Sequence, residues 1–239
     1  MPGTSRFTPP SGRPLGRTLL ALVGACVLIC AALVGVGWLI THPLKRTMAH
    51  ENGVNTWFVH QRTSDLTHAA DLGTQLGQTL TGAIVLVVLG VGFALWKRSW
   101  WPLLFVGALD AGLGLFYLAG TTLDPRQRPP VHILQAGLVQ NHSFPSGHTG
   151  TALAIGGSLA ALLWAYTRIS GAVLALLVVV PVFTMLARLY EGAHHVSDVL
   201  SAFVAASLWL LVCARLLLPH RSRENAPATV QGDQPRVAA

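Results

Sequence analysis

A short polar segment between two long apolar runs carries side chains suited to nucleophilic chemistry, namely Arg188, His194 and Asp198. If the flanking runs cross a membrane, charged groups at their boundary are costly, and their presence there points to a function. If a helix begins near Ala193, His194 and Asp198 share one face of it. The carboxylate can then hold one ring nitrogen while the other nitrogen attacks an electrophile. The planar guanidinium of Arg188 can bind an anion. Taken alone, these residues also fit a polar loop between helices.

Two earlier polar segments can join this one. They are Arg126-Gln127-Arg128-Pro129-Pro130 and Pro145-Ser146-Gly147-His148. Each lies at the end of a long apolar run, so all three segments meet on one side of a membrane if the runs cross it. Polar loop residues scattered at random would not need to converge in this way.

The residue types in these segments suit phosphoryl transfer. Ser146 and Gly147 lie where a helix is predicted to begin, and the free N–H groups and dipole of a helix start favour a phosphate. Gly147 has no side chain to hinder the approach of an anion to the backbone. Arg128 and Arg188 could neutralise the non-bridging oxygens of the transferred group.

Three residues would then carry out a two-step reaction. His194 would be the nucleophile and form a phosphohistidine, and Asp198 would hold its ring and stabilise its charge. His148 would protonate the leaving lipid oxygen and then activate water. No acidic cluster in the sequence suits magnesium, so we expect the arginines to replace a metal and expect no cofactor.

These segments resemble the signature of the type-2 phosphatidic acid phosphatase superfamily, which reads K-x6-R-P, P-S-G-H and S-R-x5-H-x3-D in order. The matching residues are Arg128-Pro129, Pro145 to His148, and Arg188, His194 and Asp198. The resemblance covers roughly residues 75–218, and the segment around Trp57 is similar to the outer loop of the family. It implies a membrane-embedded lipid phosphatase whose substrate is phosphatidate, phosphatidylglycerol phosphate or a polyprenyl diphosphate such as undecaprenyl diphosphate.

The chain departs from this signature at two positions. Thr121 stands where the family has the lysine of its first motif, and Ala187 stands where it has the serine of its third. Arg126 could replace the lysine and join the phosphate-binding residues if the loop brings it inward. Because Thr121 carries no charge, the sequence also leaves open a non-catalytic lipid-binding or transport protein. A third alternative, a vanadate-dependent haloperoxidase, is disfavoured because those enzymes are soluble.

The composition is that of a membrane protein. Of the 239 residues, 52% are apolar and only 10% are charged, whereas soluble domains carry about 25% charged residues. The net charge of +7 is not gathered into a basic stripe with exposed aromatic residues, so we exclude nucleic-acid binding. Cys26, Cys30 and Cys213 lie inside apolar runs and are expected to pack there, without forming disulfides or binding metal.

Six apolar runs are long enough to cross a bilayer, which predicts an all-α, polytopic bundle of six transmembrane helices. The predicted spans are residues 19–40, 75–96, 102–123, 149–167, 171–187 and 199–218. The first run is longer than the apolar core of a signal peptide and is interpreted as a retained helix. Residues 1–16 and 220–239 are predicted to be disordered cytoplasmic tails on either side of one membrane domain, 17–219. Its motif-bearing core is 75–218, and its outer loop, 42–72, is expected to include a helix along the interface.

The distribution of positive charge predicts the orientation. With both termini in the cytoplasm, ten of the 16 lysines and arginines face inward and six face outward. The polar segments would then face outward in a plasma membrane, which fits recycling of a polyprenyl diphosphate. The sequence gives no oligomeric state.

Four further sets of polar residues need no part in the chemistry. His195 is expected to point away from His194 around a helix, and Glu191 to face water. Asp110, inside the third span, could belong to an ion path or could serve packing. The outer loop contains four histidines whose spacing does not suit a metal site, namely His42, His50, His60 and His68.

Overall fold

Long apolar helices make up most of the structure, a computed structural model that describes Pro10, residues 12–171 and residues 175–219. The α-helices are α1 (Leu15–Thr41), α2 (Lys45–Met48), α3 (Asn52–His60), α4 (Ser64–Leu76), α5 (Thr79–Lys97), α6 (Trp101–Leu123), α7 (Gly147–Tyr166), α8 (Val179–Tyr190) and α9 (Val196–Leu217). Short 3₁₀ turns occupy Ala49–Glu51 and Leu176–Val178. Within the described residues there is no strand, which confirms the predicted all-α class.

Five helices, α1, α5, α6, α7 and α9, are long and apolar enough to cross a membrane. They match five of the six predicted spans. Large apolar side chains lie on their outer surfaces: Leu20 and Leu28 of α1 are 74% and 72% exposed. Such exposure is costly in water but not against lipid tails, so these surfaces indicate a multi-pass membrane protein.

The span predicted over 171–187 differs from the structure. Residues 172–174 of it lie outside the described residues, and the helix that follows, α8, runs from Val179 to Tyr190. Its 12 residues extend about 18 Å, less than the roughly 30 Å of a hydrocarbon core. The count of six spans is therefore not confirmed. Of the predicted tails, residues 1–9, 11 and 220–239 are outside the described part, and α1 begins at Leu15, inside the predicted N-terminal tail.

The predicted outer loop, 42–72, is largely helical, and one face of its last helix packs against α8. A Cβ atom at Gly73 of α4 would lie 2.7 Å from the Cβ of Ala187 in α8, so the two helices touch. The hydroxyl of Thr184 donates a hydrogen bond to the carbonyl of Gly73 at 2.8 Å. The short helix α8 is thus supported by α4, not by lipid alone.

The bundle is filled by close contacts between α6 and α9. A Cβ atom at Gly112 would overlap the indole of Trp209, so the glycine provides the room that this side chain needs. The indole N–H donates to the carbonyl oxygens of Ala108 and Leu109, both at 3.2 Å, and the ring meets Phe116 edge-on. Buried Trp N–H groups need such partners, since an unpaired donor is costly away from water.

Six helix ends lie together at one end of the bundle. They are the C-terminal ends of α1, α6 and α8 and the N-terminal ends of α5, α7 and α9. The backbone N–H of Ser146, at the start of α7, donates to the carbonyl of Asp198 in the first turn of α9 at 3.3 Å. Asp124, after α6, lies against Gly37 of α1. The predicted convergence of the three polar segments is therefore present in the fold.

Candidate active site

A cavity of about 280 Å³ opens at this end of the bundle. Six of the residues predicted to carry chemistry line it, namely Arg128, Ser146, Gly147, His148, Arg188 and His194. Deeper in the bundle its wall becomes apolar, with Leu113, Phe116 and Ala205. A polar pocket that continues into an apolar cleft can receive a charged head group together with part of a hydrocarbon tail.

His194 is held by a backbone carbonyl. Its Nδ1 lies 2.7 Å from the carbonyl oxygen of Ser143, which can only accept, so Nδ1 carries the proton. Nε2 is then the unprotonated nitrogen, and among the described residues no hydrogen bond involves it. Burial is the largest cause that lowers the pKa of His194, to about 4; Asp198 raises this pKa, while Arg188 and Arg128 lower it. The ring is therefore neutral at physiological pH and presents a lone pair.

The predicted direct hydrogen bond between Asp198 and His194 is absent. The expectation placed the helix start near Ala193, but α9 begins at Val196, and His194 precedes it. Gly192, with φ of +75°, turns the chain between α8 and α9, so the two side chains do not share a helical face. The Asp198 Oδ2 atom is 3.8 Å from Nδ1 of His194, close enough for charge attraction only.

Ser143 connects the two residues instead. Its hydroxyl donates to Oδ2 of Asp198 at 2.6 Å, while its carbonyl accepts from His194. The N–H of His195 also donates to Oδ2, at 2.8 Å, and the His195 side chain caps α9. His195 was predicted to be a polar interfacial residue pointing away from the site. It is buried outside the cavity wall, where it fixes Asp198.

Arg126 is not at the predicted phosphate position. Its Nη1 donates to Oδ1 of Asp198 at 2.5 Å and to the hydroxyl of Ser197 at 2.6 Å. Nη2 lies 3.8 Å from Glu51, which also accepts from the backbone N–H of Ser197 at 2.8 Å. Arg126 does not line the cavity, and its guanidinium is paired with the buried carboxylate of Asp198. It is the counter-ion of Asp198.

Unlike Arg126, Arg188 lines the cavity, and its guanidinium is hydrogen-bonded to the described protein at Nη1 only. Its side chain is fully buried, and all its hydrogen bonds are made by Nη1. The buried Nε and Nη2 atoms have no partner within the described chain. Since an unpaired buried donor is costly, these atoms are poised for an anion in the cavity that Arg188 lines.

Glu191 is the main partner of Arg188. One of its oxygens accepts from Nη1 at 2.5 Å, and the other accepts from the hydroxyl of Thr74 at 2.7 Å. The prediction that Glu191 faces water is wrong, since this residue is only 1% exposed. Burial raises its pKa, and the charge of Arg188 opposes that rise.

Arg128 joins two segments of the chain through hydrogen bonds and also keeps a positive charge at the cavity. Its guanidinium donates to the carbonyl oxygens of Val139 at 3.0 Å, Ala193 at 2.7 Å and His142 at 3.1 Å, which ties the loop before α7 to the segment before α9. A guanidinium has five N–H groups, so two remain. Burial lowers the pKa of Arg128, yet an arginine stays charged at neutral pH.

The start of α7 completes the cavity. Ser146 caps this helix, its hydroxyl accepting from the backbone and hydroxyl of Thr149. No hydrogen bond in the described part uses the backbone N–H of Gly147 or His148, so both are available to an anion. A Cβ atom at Gly147 would lie 3.2 Å from the ring of Tyr117. The buried Nε2 of His148 has no hydrogen-bond partner among the described residues.

Other residues singled out from the sequence stay apart from this chemistry. Thr121, in the position of the family lysine, is buried, and its hydroxyl bonds to carbonyls of its own helix. Asp110 borders the deeper part of the cavity, about 10 Å along α6 from Tyr117. Within the described residues, no group of histidine, cysteine, aspartate and glutamate side chains is arranged to hold a metal.

Sequence reasoning missed several residues that support the site. Asn55 of α3 is fully buried and donates to the carbonyls of Leu189 and His194, at 3.3 and 3.0 Å. Ser143 was close enough to Pro145 to be suspected, since only Phe144 separates it from the second motif. Asn55 carried no comparable sign, because it lies 139 residues from His194.

Fold and cavity together define a multi-pass membrane protein with a cavity at one end of its bundle, lined by two arginines and three histidines. Residues 99–221 match the sequence profile of the PAP2 superfamily, and the chain belongs to that superfamily of phosphatases. The structure is similar to the crystal structure of a transmembrane PAP2-type phosphatidylglycerolphosphate phosphatase from Bacillus subtilis. The TM-score is 0.63 at 22% identity, over 81% of this chain and 92% of that one. A comparison with curated proteins finds no match.

Proposed function

We propose that this chain is a lipid phosphatase that releases phosphate through a phosphohistidine on His194, without a metal. The proposal rests on one observation: free hydrogen-bond donors of Arg188 and the basic nitrogen of His194 both belong to residues that line one small cavity. The buried Nε and Nη2 of Arg188 lack an acceptor, and the neighbouring His194 is fixed with Nε2 as its basic nitrogen. An anion with an electrophilic centre, such as a phosphate ester, satisfies both.

In the first step, Nε2 of His194 attacks phosphorus, a P–N bond forms, and the P–O bond to the lipid breaks. His148 gives its proton to the leaving lipid oxygen, and the negative phosphate favours the protonated ring beforehand. Arg188 and Arg128 neutralise the negative charge of the equatorial phosphoryl oxygens, and the free N–H groups at the start of α7 donate hydrogen bonds to these oxygens. The carboxylate of Asp198 stabilises the positive charge on His194 from 3.8 Å.

In the second step, water attacks the phosphohistidine. His148, now neutral, takes a proton from this water, the P–N bond breaks, and inorganic phosphate leaves. His194 returns to its neutral form with the proton still on Nδ1. No residue needs to change its hydrogen-bond partners between the two steps, because Ser143 holds the ring throughout.

The site is proposed to face outward. The positive-inside distribution of lysine and arginine supports this orientation and places both termini in the cytoplasm. A substrate would keep its tail in the bilayer, with its head group in the cavity. Candidate substrates are phosphatidate, phosphatidylglycerol phosphate and polyprenyl diphosphates such as undecaprenyl diphosphate.

The test is phosphate release by purified protein from this panel of lipids, with chelator present. Wild type is expected to hydrolyse at least one of them, and His194→Ala to be inactive. Wild type that is denatured during turnover of a radiolabelled substrate should carry acid-labile label, and His194→Ala should carry none. Activity that requires added metal, or that survives in His194→Ala, would overturn the mechanism.

A non-catalytic lipid-binding or transport protein is the alternative, and Thr121 is the observation in its favour. Its hydroxyl is directed to its own helix, so no charge replaces the family lysine at that position. Saturable binding of a lipid phosphate without release of phosphate from any member of the panel would favour this alternative.

A further inference from the structure

The guanidinium of Arg188 meets three acceptors at a single nitrogen. Nη1 lies 2.5 Å from Glu191 Oε2, 2.6 Å from Gln135 Oε1 and 3.1 Å from Thr74 Oγ1. The free edge of the same planar group, Nε and Nη2, has no acceptor in the described residues. The protein therefore holds the Arg188 guanidinium at Nη1 and leaves Nε and Nη2 for the cavity.

The hydrogen bonds of Glu191 are those of an ionised carboxylate, and the adjacent guanidinium of Arg188 favours that form although burial raises the pKa of Glu191. Both of its oxygens accept hydrogen bonds, one from Arg188 and one from the hydroxyl of Thr74. Neither oxygen is left to carry a proton toward an acceptor. A full negative charge is thus buried directly behind the cation that faces the phosphate, where water screens it little.

This carboxylate changes the charge of the phosphate pocket. Two cations face the cavity, Arg128 and Arg188, and Glu191 offsets one of them. The carboxylate of Asp198 is already balanced by Arg126, and Thr121 adds no charge. Around the proposed phosphate position, the two arginines and Glu191 sum to roughly one net positive charge, and Asp110 lies deeper along the same cavity.

We propose that Glu191 is a specificity-determining residue that makes the site favour lipid phosphate monoesters over lipid diphosphates. A phosphate monoester carries about −1.5 to −2 charge at pH 7, and a diphosphate carries about one more negative charge. The extra charge is compensated poorly where a buried carboxylate lies behind Arg188. The proposal rests on the proposed phosphatase function and narrows its substrate class.

A purely structural role for Glu191 makes a different prediction. If the carboxylate only orients Arg188, its loss impairs both substrate types alike. If it sets the charge of the pocket, its loss changes the ratio of the two activities. The quantity to measure is therefore kcat/KM for a prenyl diphosphate divided by kcat/KM for the prenyl monophosphate of the same chain length.

Four variants separate these roles. Glu191→Gln keeps an acceptor oxygen for Arg188, turns the contact with Thr74 into a donated N–H, and removes the charge, so the ratio should rise about tenfold. Glu191→Asp keeps the charge, so its ratio should match wild type even if both rates fall. Gln135→Glu, in a partly exposed position, adds a charge at the same nitrogen and should lower the ratio about threefold. Asp65→Asn removes an exposed carboxylate at the far end of α4 and should leave the ratio unchanged.

Each outcome has a distinct meaning. Ratios that move in opposite directions in Glu191→Gln and Gln135→Glu support the proposal. An unchanged ratio in both, with hydrolysis intact, overturns it while leaving the phosphatase function standing. Absence of hydrolysis in wild type refutes the phosphatase function itself. If Glu191→Gln does not fold in detergent, the ratio in Gln135→Glu decides, because this isosteric change is remote from the helical core.

Discussion

Replacing Arg126 by methionine should destabilise the protein, instead of only weakening phosphate binding. The guanidinium pairs with Asp198 at 2.5 Å, where the carboxylate is fully buried and the arginine side chain is 10% exposed. Methionine has a similar length and no charge. The substitution would leave a buried carboxylate without its counter-ion.

The magnitude follows from the remaining partners of Asp198. Removing one member of a buried ion pair costs about 3–5 kcal/mol. Asp198 retains the hydroxyl of Ser143 and the N–H of His195, so we expect the lower end, about 3 kcal/mol. For a chain of this size, that corresponds to a fall in Tm of about 6–12 °C.

The assay is thermal unfolding in detergent for Arg126→Met, Asp198→Asn and the double variant. Because the two single changes break the same ion pair, the double variant should lose at least about 1.5 kcal/mol less than their sum. Phosphate binding by Arg126 predicts another pattern, with unchanged Tm and a raised KM for Arg126→Met. That pattern, or strict additivity of the losses, would refute the reasoning.

Three further predictions concern the nucleophile and its supports. Burial lowers the pKa of His194 to about 4. After correction for substrate ionisation, kcat/KM should therefore decrease on the acid side with a midpoint near pH 4. A midpoint near pH 6.5 would contradict the burial of His194. The unfolded chain binds this proton more readily, so the contribution of neutral His194 to stability is present above about pH 6.5 and is lost as the pH falls toward 4. Asn55→Ala should lower stability by about 2 kcal/mol, measured as Tm, because buried carbonyls including that of His194 lose their donor; an unchanged Tm would exclude this support. Gly120→Ala should reduce both Tm and activity, since its methyl would overlap the ring of Pro145, whereas Gly107→Ala on the same helix meets nothing within 4 Å and serves as the control.

The pH prediction and the Arg126 prediction test different levels of the structure. The first depends on one side chain and its solvent access. The second depends on a contact between two segments that are 72 residues apart.

Much of the membrane architecture could be predicted from the sequence because lipid imposes local rules. A helix that crosses hydrocarbon must satisfy its own backbone and present apolar side chains over about 20 residues, and this pattern is visible in a sequence. Five predicted spans match helices for that reason. The exception, at 171–187, is a segment in which a short helix is supported by α4, and composition alone does not distinguish protein contact from lipid contact.

The residues of the cavity were also predictable, because residue type and order along the chain identify them. Arg128, His148 and His194 lie at helix boundaries, and alternating spans bring such boundaries to one end of the bundle. The partners of these residues were not predictable. Asp198 was expected to hold His194, yet the turn at Gly192 moves the start of α9 to Val196 and leaves Ser143 in that position.

The sequence by itself determined which groups could do chemistry and that they belong at one membrane boundary, since both follow from residue type and local hydropathy. Only the tertiary structure decided how the charges pair. Arg126 binds Asp198, and Glu191 lies behind Arg188, because buried ions select whichever opposite charge the packed helices bring within reach. Such contacts join segments far apart in the chain, and no local pattern specifies them. The net charge of the cavity is therefore a property of the fold.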